Sequence, residues 1–234
     1  AGVILPLLPD APISEAINVS PYKFWLAIVV VSSISSLSYL QRTLVYPAQG
    51  ILLTGLLGGL YSSTATTVIL ARKSKEMVAG NRIIGAMFLA LTMMYVRIFL
   101  LAFFFNRQIA TAMLPDFVIL TILSALIAFY FSKVKKTELK GGNEKVDASA
   151  HQNPLEFKTA LLFGGLFILF AIITEYVIKY YGGHGVNILA FVVGVTDIDP
   201  FILNLFQGKW NIEMTVITIA VLNAISSNKI DRKR

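Results

Sequence analysis

Long apolar stretches separated by short polar segments make up most of this chain. They predict seven helices, with bounds of about Tyr22–Leu40, Gln49–Ala71, Arg82–Phe105, Ala110–Ser132, Pro154–Tyr180, Gly185–Phe206 and Asn211 onward. A transmembrane helix needs roughly 20 apolar residues, and runs of this length exceed the strands of a membrane barrel. The pattern therefore predicts an all-α, polytopic helical membrane bundle of about seven spans.

The composition supports a multi-pass membrane protein and excludes other classes. The 234 residues are 56% hydrophobic and only 14% charged, whereas soluble domains are about 25% charged. A soluble fold of this size could not hide so much apolar surface, and intrinsic disorder is excluded for the same reason. The net charge of +7 comes from basic clusters between apolar stretches, as in cytoplasmic loops. No nucleic-acid partner is therefore expected.

One polar segment divides the chain into two parts. Residues 133–152 form a basic, cytoplasmic linker between a first membrane half (1–132) and a second (153–234). A shift of 135 residues aligns several positions of the two halves, among them Gly50 with Gly185, Gly59 with Gly194, and Ser62 with Asp197. Four predicted spans separate equivalent points, so we expect two similar halves that are parallel rather than inverted.

The first polar segment inside an apolar stretch is Gly58–Thr67, GGLYSSTATT. Its hydroxyls must form hydrogen bonds in a lipid environment, and bonds to the preceding turn bend helices. One interpretation is close helix packing, because Gly55 and Gly59 have a GxxxG spacing. The other is a helix break at which oxygen atoms line a polar cavity and bind an ion. The candidate ligands would be Ser62, Ser63, Thr64, Thr66 and Thr67.

The second polar segment is Gly194–Pro200, GVTDIDP. Pro200 disfavours helical geometry at the preceding residue, and two carboxylates, Asp197 and Asp199, lie beside it. An unwound segment could direct both toward a cation or a metal ion. Two structural alternatives remain: the break lies at the membrane interface with both groups in water, or an aspartate caps the following helix.

Arg97 lies in the middle of a long apolar stretch. A charge at membrane depth costs at least about 2.5 kcal/mol, and pairing with Asp197 or Asp199 would offset that cost. Arg97 would then balance charge at the site. The alternative is a side chain that reaches the lipid headgroups.

Together these features predict a transporter or channel for a small ion, with a cation favoured. Two interrupted apolar segments at corresponding positions of two halves are typical of transport sites, so we expect 58–67 and 194–200 to lie close together. The alternative is a membrane scaffold or regulatory subunit that transports nothing. An enzyme is not expected, because no nucleophile–base pair is recognisable, and no cofactor is expected.

Several segments together resemble a known family. They are LPLLPD (Leu5–Asp10), LLTGLLGGLYSSTATT (Leu52–Thr67), Arg97, Asn153 with Pro154, and GVTDID (Gly194–Asp199). They are similar to a bacterial membrane domain of unknown function that is associated with MgtC/SapB proteins. The resemblance implies a multi-pass protein of the bacterial inner membrane, an MgtC-like partner and a loose connection with ion homeostasis. Independently of the resemblance, a homo-oligomer is a further expectation.

Overall fold

The computed structural model describes residues 4–11, 20–40, 50–76, 80–133, 157–208 and 210–230. Within these ranges the protein is all-helical, which confirms the predicted all-α class. A short 3₁₀ turn, Leu5–Leu7, precedes seven α-helices: α1 (Pro21–Leu40), α2 (Ile51–Glu76), α3 (Gly80–Phe105), α4 (Arg107–Lys133), α5 (Phe157–Val193), α6 (Ile198–Gln207) and α7 (Met214–Ile230).

Three of the described helical segments are long and apolar enough to cross a membrane: Asn81–Phe105, Arg107–Lys133 and Leu161–Val193. By contrast, α6 has ten residues, so it is about 15 Å long and covers about half of a bilayer's hydrocarbon thickness.

The chain divides into two compact units. The α2–α4 unit contains Ser32–Leu100 and Leu114–Pro154, and the α5–α7 unit contains Ala1–Val31, Leu101–Met113 and Leu155–Arg234. Nearly all of the predicted linker, 133–152, lies outside the described residues. The predicted division into halves at 1–132 and 153–234 stays a prediction.

In the α2–α4 unit, α2 folds back on itself. Ser62 has non-helical backbone angles, φ −155° and ψ 102°. A Cβ atom placed on Gly58 would lie 2.5 Å from Thr66 Oγ1, although eight residues of a straight helix rise about 12 Å. Helix α2 therefore consists of two arms, 51–61 and 63–76, that meet at Ser62. This confirms the predicted helix interruption within 58–67.

The first arm of α2 runs in the same direction as α3. Gly55 packs on the backbone of Ala86, and Gly59 packs on the backbone of Ala90. Because both positions advance together along the chain, the second arm must bring the chain back before α3 begins. Buried residues of both arms and α3 form one apolar cluster: Ile51, Leu70, Ile83 and Ala86.

Helices α3 and α4 form a simple hairpin around Asn106. The side-chain oxygen of Asn106 accepts hydrogen bonds from the backbone N–H groups of Gln108 and Ile109, at 3.1 and 3.2 Å, and so caps α4. Farther along the pair, the Thr92 and Ser124 hydroxyls are 2.8 Å apart and hydrogen-bonded. Helix α4 thus packs on α3 at Thr92, on a different side of that helix from Ala90, which contacts α2.

The α5–α7 unit contains a comparable interruption. Helix α5 changes direction at Gly182, whose φ of 58° favours glycine, and it ends at Val193; residues 194–197 are not helical. Gly183 contacts Val216, and Gly194 contacts Ser227. Residues 183–193 and α7 therefore run in the same direction, and α6 with the following loop returns the chain between them. This confirms the predicted interruption within 194–200.

Candidate functional site

The break in α2 is built by Ser62. Its side-chain Oγ accepts a hydrogen bond from the backbone N–H of Ala65, at 3.2 Å. Extended backbone angles together with this hydrogen bond are the features of a helix N-cap. Ser62 therefore ends the first arm and begins the second.

The other hydroxyls of the segment lie inside the protein around this break. Ser63 and Thr66 are buried, while Ser62, Thr64 and Thr67 are half-buried. Thr67 Oγ1 donates to the carbonyl oxygen of Ser63 at 2.6 Å, and Ser63 Oγ donates to Met94 Sδ at 3.4 Å. Close glycine packing and a helix break, which the sequence offered as alternatives, are therefore both present.

Along α3, Arg97 follows closely after the residues that contact α2 near its break. Ala86, Ala90 and Met94 follow one another at spacings of four along α3, and each contacts α2. Arg97 comes three residues after Met94, which places it on nearly the same face, about 4.5 Å farther along the helix axis. Its side chain is 7% exposed. The α2–α4 unit thus places a buried guanidinium one turn past the contact between Ser63 and Met94.

The second break is capped by Asp197. Its backbone is extended, with φ −89° and ψ 112°, and its Oδ1 accepts from the backbone N–H of Asp199 at 3.2 Å. Pro200 occupies the first turn of α6, where the missing N–H group has little cost. Carboxylates at a helix N-terminus also interact favourably with the helix dipole. The capping role that the sequence allowed for an aspartate is therefore present, with Asp197 exposed and Asp199 half-buried.

Two side chains of α7 bind the carbonyl groups at the end of α5. Ser227 Oγ donates to Phe191 O at 2.6 Å. Asn228 Nδ2 donates to Gly194 O at 2.9 Å and to Thr196 O at 3.3 Å. The last carbonyl groups of a helix have no partner within it, so α7 stabilises the broken backbone beside Asp197. Sequence reasoning missed this role; the available signal was a Ser-Ser-Asn run near the end of a mostly apolar helix.

We expect Asn228→Leu to lower the stability of the protein. The change leaves two carbonyl oxygens without their amide donor, which costs about 1–3 kcal/mol for each buried group left unsatisfied. The thermal midpoint of the detergent-purified protein measures the effect. Asn223→Leu, at a half-buried position of the same helix, is the matched control and should change the midpoint much less. Equal shifts for the two variants would contradict the proposed role of Asn228.

The two breaks share their local structure. Ser62 and Asp197 are 135 residues apart, and each is an extended residue whose side chain caps the following helix. In each case a glycine three residues earlier, Gly59 or Gly194, packs directly on a later helix of its own unit, α3 or α7. These are the positions that the shift of 135 residues aligns between the two predicted halves.

Helix α6 contains two buried amide side chains. Asn204 is 0% exposed and Gln207 is 4% exposed. Among the described residues, neither the nitrogen nor the oxygen of either side-chain amide has a hydrogen-bond partner. Each such group costs about 1–3 kcal/mol relative to a satisfied one. These residues had no signal in the sequence, because a single Asn or Gln does not reveal its own burial.

The donor set around the second break consists of oxygen atoms. No group of three or more His, Cys, Asp and Glu residues that could hold a metal is found in the described part of the chain. A cation at Asp197 and Asp199 would therefore need backbone, hydroxyl or amide oxygens to complete its coordination.

The two breaks belong to different units. The predicted proximity of the breaks, and the predicted pairing of Arg97 with Asp197 or Asp199, stay predictions.

Three helices of membrane-spanning length and a 56% hydrophobic composition define the class: this is a helical membrane protein. Residues 29–232 match the family described as a domain of unknown function, DUF4010, and the chain belongs to that family. A protein of Aquifex aeolicus (strain VF5), described as uncharacterized, is 26% identical over 187 residues, which are 77% of this chain and 78% of the relative. No solved structure matches the chain.

Proposed function

We propose that this protein is a transporter or channel for a small ion, with a cation favoured, and that it is a multi-pass protein of the bacterial inner membrane. The observation that carries the proposal is the pair of capped helix breaks at Ser62 and Asp197. Discontinuous helices in the membrane are tolerated where protein or a water-filled cavity surrounds the freed backbone groups, and they commonly form ion sites.

The second break offers the stronger ligands. Asp197 and Asp199 supply carboxylate oxygens, and the interrupted backbone of 194–197 supplies carbonyl oxygens. Hard cations bind oxygen ligands of these types. The first break offers neutral hydroxyl oxygens, from Ser62, Ser63, Thr64, Thr66 and Thr67. Arg97, about one helical turn farther along α3 than Met94, supplies a positive charge.

The shared structure of the breaks also supports two similar halves within the chain. At each break a capped, extended residue begins a new helix, and a glycine three residues earlier contacts a later helix of the same unit. We also propose that the chain contains this duplication. We further propose that it associates in the membrane with a second copy of itself or with an MgtC-like partner.

Ion flux into proteoliposomes tests the function directly. The full chain is reconstituted, and uptake is screened across Na⁺, K⁺, Mg²⁺, Ca²⁺ and protons. The same ions are added during thermal unfolding, because a ligand that binds only the folded state raises the midpoint. We expect one ion to cross the membrane and to stabilise the wild type, and Asp197→Asn and Asp199→Asn to reduce its flux at least tenfold.

Asp116→Asn, in α4, is the matched control and should retain wild-type flux. The Asn side chain still caps helices, so both test variants should fold, which their chromatographic profile and midpoint without added ion can verify. If no ion crosses or stabilises the wild type, the transport proposal is wrong and the scaffold alternative replaces it. If both aspartate variants match the wild type, the ion site lies elsewhere.

A further inference from the structure

Each interrupted segment starts and ends beside the beginning of the helix that follows it. In the α2–α4 unit, Ile51 in the first arm of α2 and Leu70 in the second arm share one apolar cluster with Ile83, near the start of α3. In the α5–α7 unit, Gly183 contacts Val216, near the start of α7. The chain between these contacts therefore goes out to its break and comes back. We call 51–76 and 183–213 the two hairpin segments.

The second hairpin segment begins at a sharp reversal of α5. A Cβ atom placed on Gly185 would lie 2.7 Å from Val177 Cγ1, although eight residues of a straight helix rise about 12 Å. The two residues lie on either side of Gly182, which has non-helical backbone angles. Helix α5 therefore consists of a first arm, 157–181, and a second arm, 183–193, that folds back on it.

Helix lengths distinguish the segments that can cross a membrane from those that cannot. Helices α1, α3, α4 and α7 have 20, 26, 27 and 17 residues, and a crossing helix needs about 17 or more. The first arm of α5 is about 37 Å long. The arms 51–61 and 183–193 are each about 16 Å long, which is about half of the hydrocarbon thickness.

Aromatic residues lie at both ends of the second hairpin segment. Tyr176, Tyr180 and Tyr181 are 56%, 62% and 67% exposed and lie in the last turns before Gly182. Trp210 follows α6, at the other end of the segment. Tyrosine and tryptophan are enriched where a membrane meets water. Both ends of the segment therefore have the side chains of a membrane interface.

The basic residues identify the two faces of the membrane. If only α1, α3, α4, the first arm of α5 and α7 cross, fifteen of the 20 Lys and Arg residues fall on one face and four on the other. If the hairpin segments also crossed, the division would be twelve to seven. Basic residues concentrate on the cytoplasmic side, so the five-crossing arrangement fits better. The fifteen are Arg42, Arg72, Lys73, Lys75, Arg82, Lys133, Lys135, Lys136, Lys140, Lys145, Lys158, Lys229, Arg232, Lys233 and Arg234.

We infer that the hairpin segments are re-entrant and open on opposite faces of the membrane: 51–76 on the cytoplasmic face and 183–213 on the outer face. Three crossings, α1, α3 and α4, then separate equivalent points of the two halves, so the halves are inverted, whereas the four predicted spans would make them parallel. Ser62 and Asp197 lie near the middle of the membrane. This topology goes beyond the proposed function, because it gives each break a face of the membrane whether or not an ion is carried.

Cysteine labelling tests this topology. The sequence contains no cysteine, so one introduced cysteine is the only thiol in the protein. Gly50→Cys and Ser74→Cys report the ends of the first hairpin segment, and His184→Cys and Asn211→Cys report the ends of the second; all four positions are exposed. Each full-length variant is expressed in a bacterial inner membrane, and spheroplasts are treated with a charged, impermeant maleimide before and after permeabilisation.

We expect His184→Cys and Asn211→Cys to react in intact spheroplasts at least tenfold faster than Gly50→Cys and Ser74→Cys, which should react fully only after permeabilisation. Glu213→Cys, exposed in the same loop as Asn211, repeats the measurement at a second position and should match Asn211→Cys.

Two further positions make the assay decisive. Gln108→Cys is the matched control, because α3 separates it from Ser74 in either arrangement, and it should react in intact spheroplasts. Lys233→Cys, after α7, should react only after permeabilisation, as Ser74→Cys does, whereas seven crossings would place it on the face opposite Ser74.

Reaction of the two ends of either hairpin segment from opposite faces would overturn the inference. Reaction of both hairpin segments from one face would also overturn it. The labelling does not depend on ion flux, so the expected labelling pattern in a protein without flux would support the topology and overturn the proposed function alone.

Discussion

The Gly59→Val variant is expected to lose a large part of its folded population. A Cβ atom at position 59 would lie 2.5 Å from Ala90 Cα and 2.7 Å from the Ala90 carbonyl oxygen. Both neighbours are backbone atoms of α3, so relief requires the arm 51–61 to move away from that helix. Overpacking typically lowers the free energy of unfolding by about 1–3 kcal/mol and sometimes by more. We expect a loss of at least about 3 kcal/mol here, because backbone atoms cannot rearrange as a side chain can.

Thermal unfolding in detergent measures this effect. For a chain of this size, about 3 kcal/mol corresponds to a lowering of the midpoint by about 6–12 °C. Gly165→Val is the matched control, because it makes the same substitution within a helix where an added Cβ has no neighbour within 4 Å. A midpoint of Gly59→Val equal to that of the control would disprove the close contact between α2 and α3.

Gly194→Val should lower the stability of the protein and weaken the proposed ion binding. The added Cβ would overlap Ser227 Cβ and lie 2.8 Å from the carbonyl oxygen of Ala224. Moving residue 194 away from α7 would also break the hydrogen bond from Asn228 to the Gly194 carbonyl. We therefore expect the free energy of unfolding to fall by at least about 3 kcal/mol. We also expect the variant to lose any stabilisation by the proposed ion, because Asp197 is only three residues from position 194.

A size-swap experiment separates the steric effect from other causes. Gly194→Ala should destabilise the protein, and Ser227→Gly in the same chain should restore part of the loss, because it removes the Cβ that the alanine would meet. The coupling between the two changes is obtained from the four midpoints of a double-mutant cycle. Strictly additive effects would mean that the two residues are not in direct contact.

The long helices could be predicted from the sequence because membrane thickness sets their length. The predicted bounds of the first, third and fourth helices, 22–40, 82–105 and 110–132, differ from those of α1, α3 and α4 by at most three residues. The positions of the two interruptions were also predictable, because glycine, β-branched hydroxyl residues and proline weaken a helix locally wherever they lie.

What the interruptions do to the path of the chain could not be predicted. A weak point such as Ser62 is compatible with a bend or with a complete reversal, and only the contacts of Gly55 and Gly59 with α3 decide between them. The binding of carbonyl groups by Asn228 likewise depends on the packing of α7 beside residues that precede it by more than 30 positions. The burial of Asn204 and Gln207 is set by their neighbours in space, which a single sequence does not contain.

The reversal at Ser62 has a consequence for biogenesis. Each arm of α2, 51–61 and 63–76, is shorter than the roughly 20 apolar residues that can partition into the bilayer alone as a span. The first arm binds α3, which is synthesised later, through Gly55 and Gly59. We therefore expect stable insertion of the two arms to require α3, which follows them along the chain.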